Sequence, residues 1–582
     1  MDYSNADVAK LLREMAAAYS IRGIGNIFQI RAYEGAADSI EHSAADVKDL
    51  WEEGKLDQIP GLGEKIRSYI DELFKTGKIE HFEEVKKDIP EVTFKLLRIP
   101  GVGPKTAIKL AEMEIKSIED LQKQIENGEI IKKGLSVKTS QNILAGIKEV
   151  LGRDEGRMLL PVAFAHAEKV LEHIRQCKDV IEIFPLGSLR RMNATIGDLD
   201  FAASSKNPKK VIDYFVKMPI VGRIVDQGEA KAVVILRNGI HVDLLVGKPD
   251  SYGALLQHFT GSKHHNIHLR TLAEKKGLSL SEYGVKNTKT GEVIPIKEEQ
   301  GLYKLLNMDT PEAETREDRG EIEAAIKHTL PKLVTLGDIK GDLHLHSNFP
   351  LEPSHGPGAN SIEEIVQVAK ALGYDYVGIS DHPPAFTSHS KEKIIELIKT
   401  RTKVIQQINM STKSIRVLNA LEIDILGDGS LSVPDEALVT LDYCIAGIHS
   451  GHRGSKEQMT KRLLKALASP HLDIIAHPTN RLINERDSSD IDWPVIFEYC
   501  AKNKKLLEID GYPNRLDLRD DLVKLALKYG VKFTIDTDAH AISQMGVMKF
   551  GVSVARRGWA TKENVVNAWD WTEFKKWFNI PD

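Results

Sequence analysis

The spacing of apolar residues changes character along the chain. Over residues 1–150 apolar positions recur at helical intervals, as in "NADVAKLLREMAAAYSI" and "YIDELFKTG", with Gly and Pro at the joints. That period predicts helices throughout this part. From about 158 to 250 the pattern turns strand-like in "VIEIFPLGS" and "KAVVILRNGIHVDLLV", with a helix among the strands, which predicts an α+β unit. Residues 252–310 are shorter-patterned and polar, and "TPEAETREDRGEIEAAIKHT" (310–329) opens with a charged, linker-like stretch. Beyond 340, apolar strand-like runs alternate with amphipathic helical stretches such as "SIEEIVQVAKAL" and "DLVKLALKYG", the pattern of a βα-repeating domain.

Composition narrows the class. A chain of 582 residues is too long for one core and implies about three to five domains. Its 42% hydrophobic and 28% charged residues are those of a soluble globular protein. No apolar run has the length of a membrane span, and "MDYSNADVAKLL" is too acidic and polar for a signal peptide. Cys177, Cys444 and Cys500 are widely spaced and form no disulfide framework or thiolate zinc motif, which fits a reducing cytoplasm. The net charge of −5 gives no general attraction to nucleic acid, but backbone amides and local patches hold phosphates without a basic total.

Two segments share the pattern I-P-G-x-G-x-K: "QIPGLGEKI" (58–66) and "RIPGVGPKTA" (98–107). Their glycines let a turn approach a phosphate, whose charge meets N–H groups at a helix N-terminus. The segments resemble helix-hairpin-helix motifs, and that resemblance implies Gly61, Gly63 and Lys65, and Gly101, Gly103 and Lys105, as DNA-backbone contacts, which position a duplex without reading sequence. In "TIGDLDF" (195–201), Asp198 and Asp200 are two apart and fall on one face of a strand. Carboxylates held so close raise each other's pKa unless a cation lies between them. "GSLRRMN" upstream offers a Gly187-Ser188 turn and forked cations at Arg190 and Arg191, suited to a triphosphate. Asp243 in "GIHVDLLV" supplies a third carboxylate on a later strand. Two Mg²⁺ ions on these aspartates would clamp an in-line phosphoryl transfer.

Ten of the twenty histidines lie after residue 340. The runs "GDLHLH", "YVGISDH", "LNALEID", "IAGIHS", "DIIAHP", "LLEIDG" and "FTIDTDAH" read as strands, and all but "LLEIDG" end in or just before His, Asp or Glu. In a βα barrel the C-terminal strand ends converge on one mouth. The expected ligands there are His344, His346, His382, Glu422, His449, His477, Asp538 and His540. A mixed imidazole–carboxylate set suits Mn²⁺, Zn²⁺ or Fe²⁺ better than Mg²⁺. Several such ions would activate a water for phosphoester hydrolysis.

The I-P-G-x-G-x-K segments resemble helix-hairpin-helix motifs, and G-S-L-R-R…G-D-L-D…V-D-L-L…H-F-T-G-S-K-H-H-N…R resembles the family X DNA polymerases up to about residue 315. That resemblance implies Gly187, Ser188, Arg191 and Gly197 at the triphosphate, and Asp198, Asp200 and Asp243 as catalytic metal ligands. It implies "HFTGSKHHNIHLR" (258–270) as a nucleotide-binding stretch, with His258, Phe259, Gly261, Asn266 and Arg270 in it. The C-terminal constellation resembles the PHP (polymerase and histidinol phosphatase) domain, a distorted seven-stranded barrel, here over 339–582. Together they imply helical DNA-binding (1–88) and fingers (89–150) domains, palm (151–250), thumb (251–315), linker (316–338) and barrel. The implied activity is templated gap filling in DNA repair, with a metal-dependent 3′→5′ exonuclease and, as in some members, abasic-site or 3′-end processing. The implied partners are gapped or primer-template DNA and deoxynucleoside triphosphates, with no membrane, for a cytoplasmic monomer. Two alternatives stand beside it: a silent barrel serving as scaffold, and an untemplated nucleotidyltransferase fused to a phosphoesterase.

The chain departs from the family pattern at two places. Tyr69 occupies the position of the Schiff-base lysine used for deoxyribose-phosphate removal, with Lys65 one turn earlier. After His346, "SNFPLEPSHGPG" is longer than usual, so that His355, or else Glu352, stands where a carboxylate ligand is expected; up to three Mn²⁺ or Zn²⁺ ions are expected in the barrel.

Overall fold

In a computed structural model, described for all residues except 1, 2, 4, 25, 26, 42–46, 60, 98, 100, 101, 152–156, 354, 581 and 582, the chain divides into two units, Met1–Arg157 and Met158–Asp582. The first unit is helical, as its period requires. It holds two small cores, one around Leu12, Tyr33, Ile70 and Phe82, the other around Ile99, Leu110, Leu121 and Ile147. Each repeated glycine motif opens a helix: Gly63 caps Glu64–Thr76 and Gly103 caps Pro104–Glu112. Gly61 adopts φ +78°, a left-handed turn conformation open to glycine.

The second unit begins with a five-stranded sheet in the order Glu182–Pro185, Leu199–Ser204, His241–Gly247, Lys231–Leu236, Val221–Gln227. The central pair, Leu199–Ser204 and His241–Gly247, runs parallel and sets Asp200 directly opposite Asp243. Helices Leu160–Arg175 and Pro208–Phe215 bury their apolar faces in the same core. Helices Tyr252–Thr260 and Lys263–Lys275 and a small antiparallel sheet (278–294) follow.

The charged segment after residue 310 is not a free linker. Ile322 and Ala325 are buried in one core with Leu269, Leu302 and Tyr303. Its charges are neutralised internally, Arg316 against Glu299 and Glu321 against His265. Charge density alone misreads such a stretch as solvated, because pairing is long-range in sequence.

From 341 the strands Gly341–Asp342, Tyr376–Ile379 and Arg416–Asn419 pair in parallel. Glu422–Asp424, Ile445–Gly447, Ile474–Ile475, Leu506–Asp510 and Lys532–Asp536 continue the parallel order. The segment 416–424 is one strand interrupted at Ala420 and Leu421, so it links the two sheets. A parallel bridge between Leu345 and Ala539 closes the ring. The result is a distorted barrel of seven strand positions with helices outside, including Lys391–Ser411, Lys456–Leu467 and Met548–Arg557. Among the described residues no helix is long and apolar enough to cross a membrane.

Candidate functional site

The paired strands fix the first site. Burial, with Asp243 and Asp198 beside it, pushes the Asp200 carboxyl up to about 6. Asp243 is also raised, chiefly by burial, and its Oδ1 is buried with no hydrogen-bond partner. Buried, partnerless oxygen on clustered carboxylates is the electrostatics of a cation site. Gly187 sits against it: at φ +56°, a Cβ there would lie 2.7 Å from Asp200 Oδ2. Only glycine lets the turn close on the carboxylate. Ser188 follows, half-exposed, and the Leu186 N–H donates to the Asp200 carbonyl at 2.7 Å, tying turn to strand. Gly197, half-exposed, ends the short strand Thr195–Ile196 before Asp198, which is exposed.

The two arginines of the turn pair with different carboxylates and share Thr260. Arg190 donates from both Nη groups to Glu299, at 3.1 and 2.7 Å, and to Thr260 Oγ1 at 2.6 Å. Arg191 donates from Nε to Glu317 at 2.9 Å and from Nη1 to the Thr260 carbonyl at 2.8 Å. Phe259 packs beside Leu186, Ala202 and Tyr252, and the His258 imidazole, lowered by burial, meets its ring edge-on at 4.8 Å. Asn266 uses its amide on the turn before it: Nδ2 donates to the carbonyls of His258 and Gly261, and Oδ1 accepts from Gln257. A Cβ on Gly261 would strike Asn266 Oδ1 at 2.5 Å. Arg270 is exposed, with Nε on the Asn266 carbonyl at 3.2 Å.

The second site lies at the barrel mouth, where the strand ends bring the expected ligands together. Potential ligand atoms of His344, His346, Glu422 and Asp538 lie within 4.8 Å of one another. So do those of His346, His382 and His540, of His382, Glu422 and His449, and of His355, Asp424 and His449. His477 joins them with Nε2 2.7 Å from Glu422 Oε1. The donor set fits divalent ions on a specific observation. His344 Nε2 and His382 Nδ1 each lie 3.2 Å from Glu422 Oε2, yet neither has a hydrogen-bond partner. Nitrogen lone pairs aimed with a carboxylate at common ground are the arrangement a metal fills. Gly447 leaves the room, since a Cβ there would meet His477 Cε1 at 2.6 Å. The backbone is strained at two of these positions, His477 (φ +27°) and Asp538 (φ +51°).

The charges are strongly coupled. Burial alone would raise the Glu422 carboxyl, but His344, His449 and His382 hold it well below the carboxylate range. Burial opposes charge on His449, but Glu422 and Asp424 raise it to about 9. Burial lowers His382 well below its usual value, His477 to about 3 and His540 to about 4. His382, His477 and His540 are thus held neutral, the form that binds metal, whereas nearby carboxylates raise His344 and His449, whose protons a bound ion would displace.

Sequence reading missed several participants. Glu508 of "LLEIDG" lies 2.6 Å from His344 Nδ1 and accepts from the His477 N–H at 2.5 Å. It contacts two of the expected ligands rather than ending a strand among them. Asp424 lies 2.7 Å from His449 Nδ1 and 3.0 Å from His355 Nε2. Its i, i+2 relation to Glu422 on one strand was the available signal. Arg515 stands 3.4 Å from both Asp510 and Asp538. Glu352 points elsewhere, to His389 Nε2 at 2.9 Å, with its side chain 63% exposed.

At the hairpins, Gly63 and Gly103 are exposed, and a Cβ on either would meet nothing within 4 Å, so bare backbone faces outward. Lys65 and Lys105 are exposed beside them, while Gly101 lies outside the described residues. Tyr69 stacks on His81 at 5.6 Å, with Lys65 Nζ 5.9 Å from its ring centroid.

Family models match four stretches: a helix-hairpin-helix domain (3–79), a SAM-like helix-hairpin-helix tandem (94–149), a DNA polymerase beta thumb (255–317) and a PHP domain (342–510). A DNA polymerase/3′-5′ exonuclease PolX of Bacillus subtilis is 34% identical over 566 residues, 97% of either chain. The chain belongs to the family X polymerases that carry a PHP domain. The halves of this family-X chain also have separate relatives. DNA polymerase lambda of Rattus norvegicus is 23% identical over 345 residues, covering 54% of this chain and 56% of that protein. A probable phosphatase of Caldicellulosiruptor bescii is 28% identical over 200 residues, covering 33% and 78% respectively.

Proposed function

We propose that the chain is a template-dependent DNA polymerase that fills short gaps during repair and trims 3′ ends with its barrel. One observation carries this reading: a single chain holds two separate cation-type constellations, Asp200 opposite Asp243 on paired strands and the Glu422-centred cluster at the barrel mouth. The repair setting, with gapped DNA and deoxynucleoside triphosphates as partners and a cytoplasmic location, is supported by the twin hairpins and by three buried free cysteines. The assignment of 151–250 as palm, 251–315 as thumb and 339–582 as nuclease domain rests on the same motifs.

Bound divalent ions, Mg²⁺ on the aspartates and Mn²⁺ or Zn²⁺ on the barrel cluster, would supply charge neutralisation and lower the pKa of the attacking hydroxyl or water. The residues do the rest. Asp198, Asp200 and Asp243 concentrate negative charge where the primer hydroxyl meets the α-phosphate. The Gly187-Ser188 turn offers its hydroxyl and N–H groups to the triphosphate, and Arg191 offers guanidinium hydrogens. Gly63 and Gly103 present backbone N–H groups to the duplex phosphates. In the barrel, Glu508 accepts the proton of His344 Nδ1, which leaves Nε2 free for the site. Arg515, beside Asp538, supplies positive charge for the phosphodiester.

The test is a one-nucleotide-gapped, 5′-phosphorylated duplex incubated with triphosphates, with and without Mn²⁺. Products one nucleotide longer, and shorter products that need the metal, support the reading. A primer left unchanged in both conditions refutes it.

A further inference from the structure

Helix Met548–Arg557 of the barrel forms the seam with the polymerase half. Phe550 meets Phe164 of helix Leu160–Arg175 edge-on at 5.7 Å, and Lys549 Nζ lies 4.1 Å from the same ring centroid. At the last turn the contacts become polar and reach the triphosphate turn itself. Arg557, its side chain only 8% exposed, donates from Nη1 to the Arg191 carbonyl at 2.6 Å and to Glu317 Oε1 at 3.1 Å. Its Nε and Nη2 engage Asp520 Oδ2 at 3.1 and 3.0 Å, which anchors it to the barrel.

Glu317 Oε1 is the oxygen that also accepts from Arg191 Nε. One carboxylate oxygen therefore serves two guanidiniums, one from the barrel and one from the G-S-x-R-R turn. Arg191 Nη1 is fixed on Thr260, while Nη2 makes no hydrogen bond among the described residues. The next residue, Met192, has φ +54°, a left-handed conformation that a residue with a side chain holds only when its surroundings impose it. The grip of Arg557 on the Arg191 carbonyl is such a constraint.

We propose that the barrel is a working part of the nucleotide-addition site: Arg557, through Glu317 and the Arg191 carbonyl, holds the Arg191 guanidinium and the Gly187–Met192 turn ready for the incoming triphosphate. This rests on the reading of the aspartates as the addition centre. Arg557 touches no substrate and is a positioning residue. A long arginine side chain fixed before the ligand arrives loses less freedom on binding. Without Arg557, the turn and the Glu317 carboxylate that holds Arg191 both loosen.

The experiment is single-nucleotide addition to a primed template by the full chain, with KM and kcat for the triphosphate. Arg557→Gln is expected to raise KM about tenfold with kcat changed less than about threefold, the signature of lost binding rather than lost chemistry. Arg557→Lys, which keeps the charge beside Glu317, recovers part of the loss. Glu317→Gln raises KM as well, and the double variant is less than additive because both act through one contact. Melting temperature and 3′-end trimming by the same preparations report folding. An unchanged KM in a folded Arg557→Gln, or strictly additive effects, overturns the coupling. Should Arg557→Gln fail to fold, an unchanged KM in Glu317→Gln does so by itself. Absence of addition by the unmodified chain would instead overturn the reading of the aspartate centre, and the coupling with it.

Discussion

Asp200 shows how one residue reports on a site. Its carboxyl, raised to about 6 by burial and then by its carboxylate neighbours, keeps a proton that the unfolded chain gives up near the ordinary value of 3.8. Its contribution to metal-free stability is thus present below about pH 4 and lost as pH rises through about 6. A cation between the aspartates should restore what ionisation costs. The rise in melting temperature on adding Mg²⁺ is therefore expected to be larger at about pH 7.5 than at about pH 5.5. Equal shifts at both pH values, followed calorimetrically, would remove Asp200 from the metal centre. In the barrel the residue-scale question is which side chain completes the set after the lengthened first loop. His355 meets Asp424 and is 34% exposed, whereas Glu352 is engaged by His389. His355→Ala is expected to lose about one bound metal per chain and to slow trimming, with Glu352→Ala near wild type. Metal content by elemental analysis decides it, and the opposite ranking would assign the oxygen of Glu352 to the site. The histidines and acids at strand ends were legible because barrel geometry sends strand ends to one mouth. Glu508 was not, because a residue that orients a histidine from another strand has no spacing of its own in the sequence; Asp424 did carry a signal, its i, i+2 relation to Glu422 on one strand.

At the scale of elements, the helices and strands followed the period of the apolar residues. The repeated I-P-G-x-G-x-K turns each open a helix, as Gly63 and Gly103 do as N-caps. The segment 310–329, with its charged, linker-like start, carries paired and buried charges. In the structure Glu321 is fully buried, 2.6 Å from His265 Nδ1, and Arg316 is buried against Glu299. Partners about twenty to sixty residues away cannot be read from a local window. The first hairpin also carries a chemical expectation. Tyr69 lies in an aromatic group with His81 and Phe82, and no amine occupies its place. Borohydride treatment of the protein on an incised abasic site is expected to trap no covalent adduct through this helix. An adduct that vanished in Lys65→Ala would show that the lysine one turn earlier serves as the nucleophile.

At the scale of the whole molecule, one chain joins bond making and bond breaking. The proposed addition centre sits on paired strands of an α+β sheet and the proposed hydrolytic centre at the mouth of a parallel barrel, and both lie in the same unit, Met158–Asp582. Helix Met548–Arg557 joins the two halves physically, yet the proposed ligand sets share no residue. The two chemistries should accordingly separate by mutation although the folds do not. The direct measurement is the product distribution on a gapped, 5′-labelled primer with triphosphates and Mn²⁺, for Asp243→Ala and Glu422→Ala beside the unmodified chain. Asp243→Ala should lose extension by about a thousandfold or more and still shorten the primer; Glu422→Ala should extend and no longer shorten it. Loss of both activities in either folded variant would contradict two independent centres.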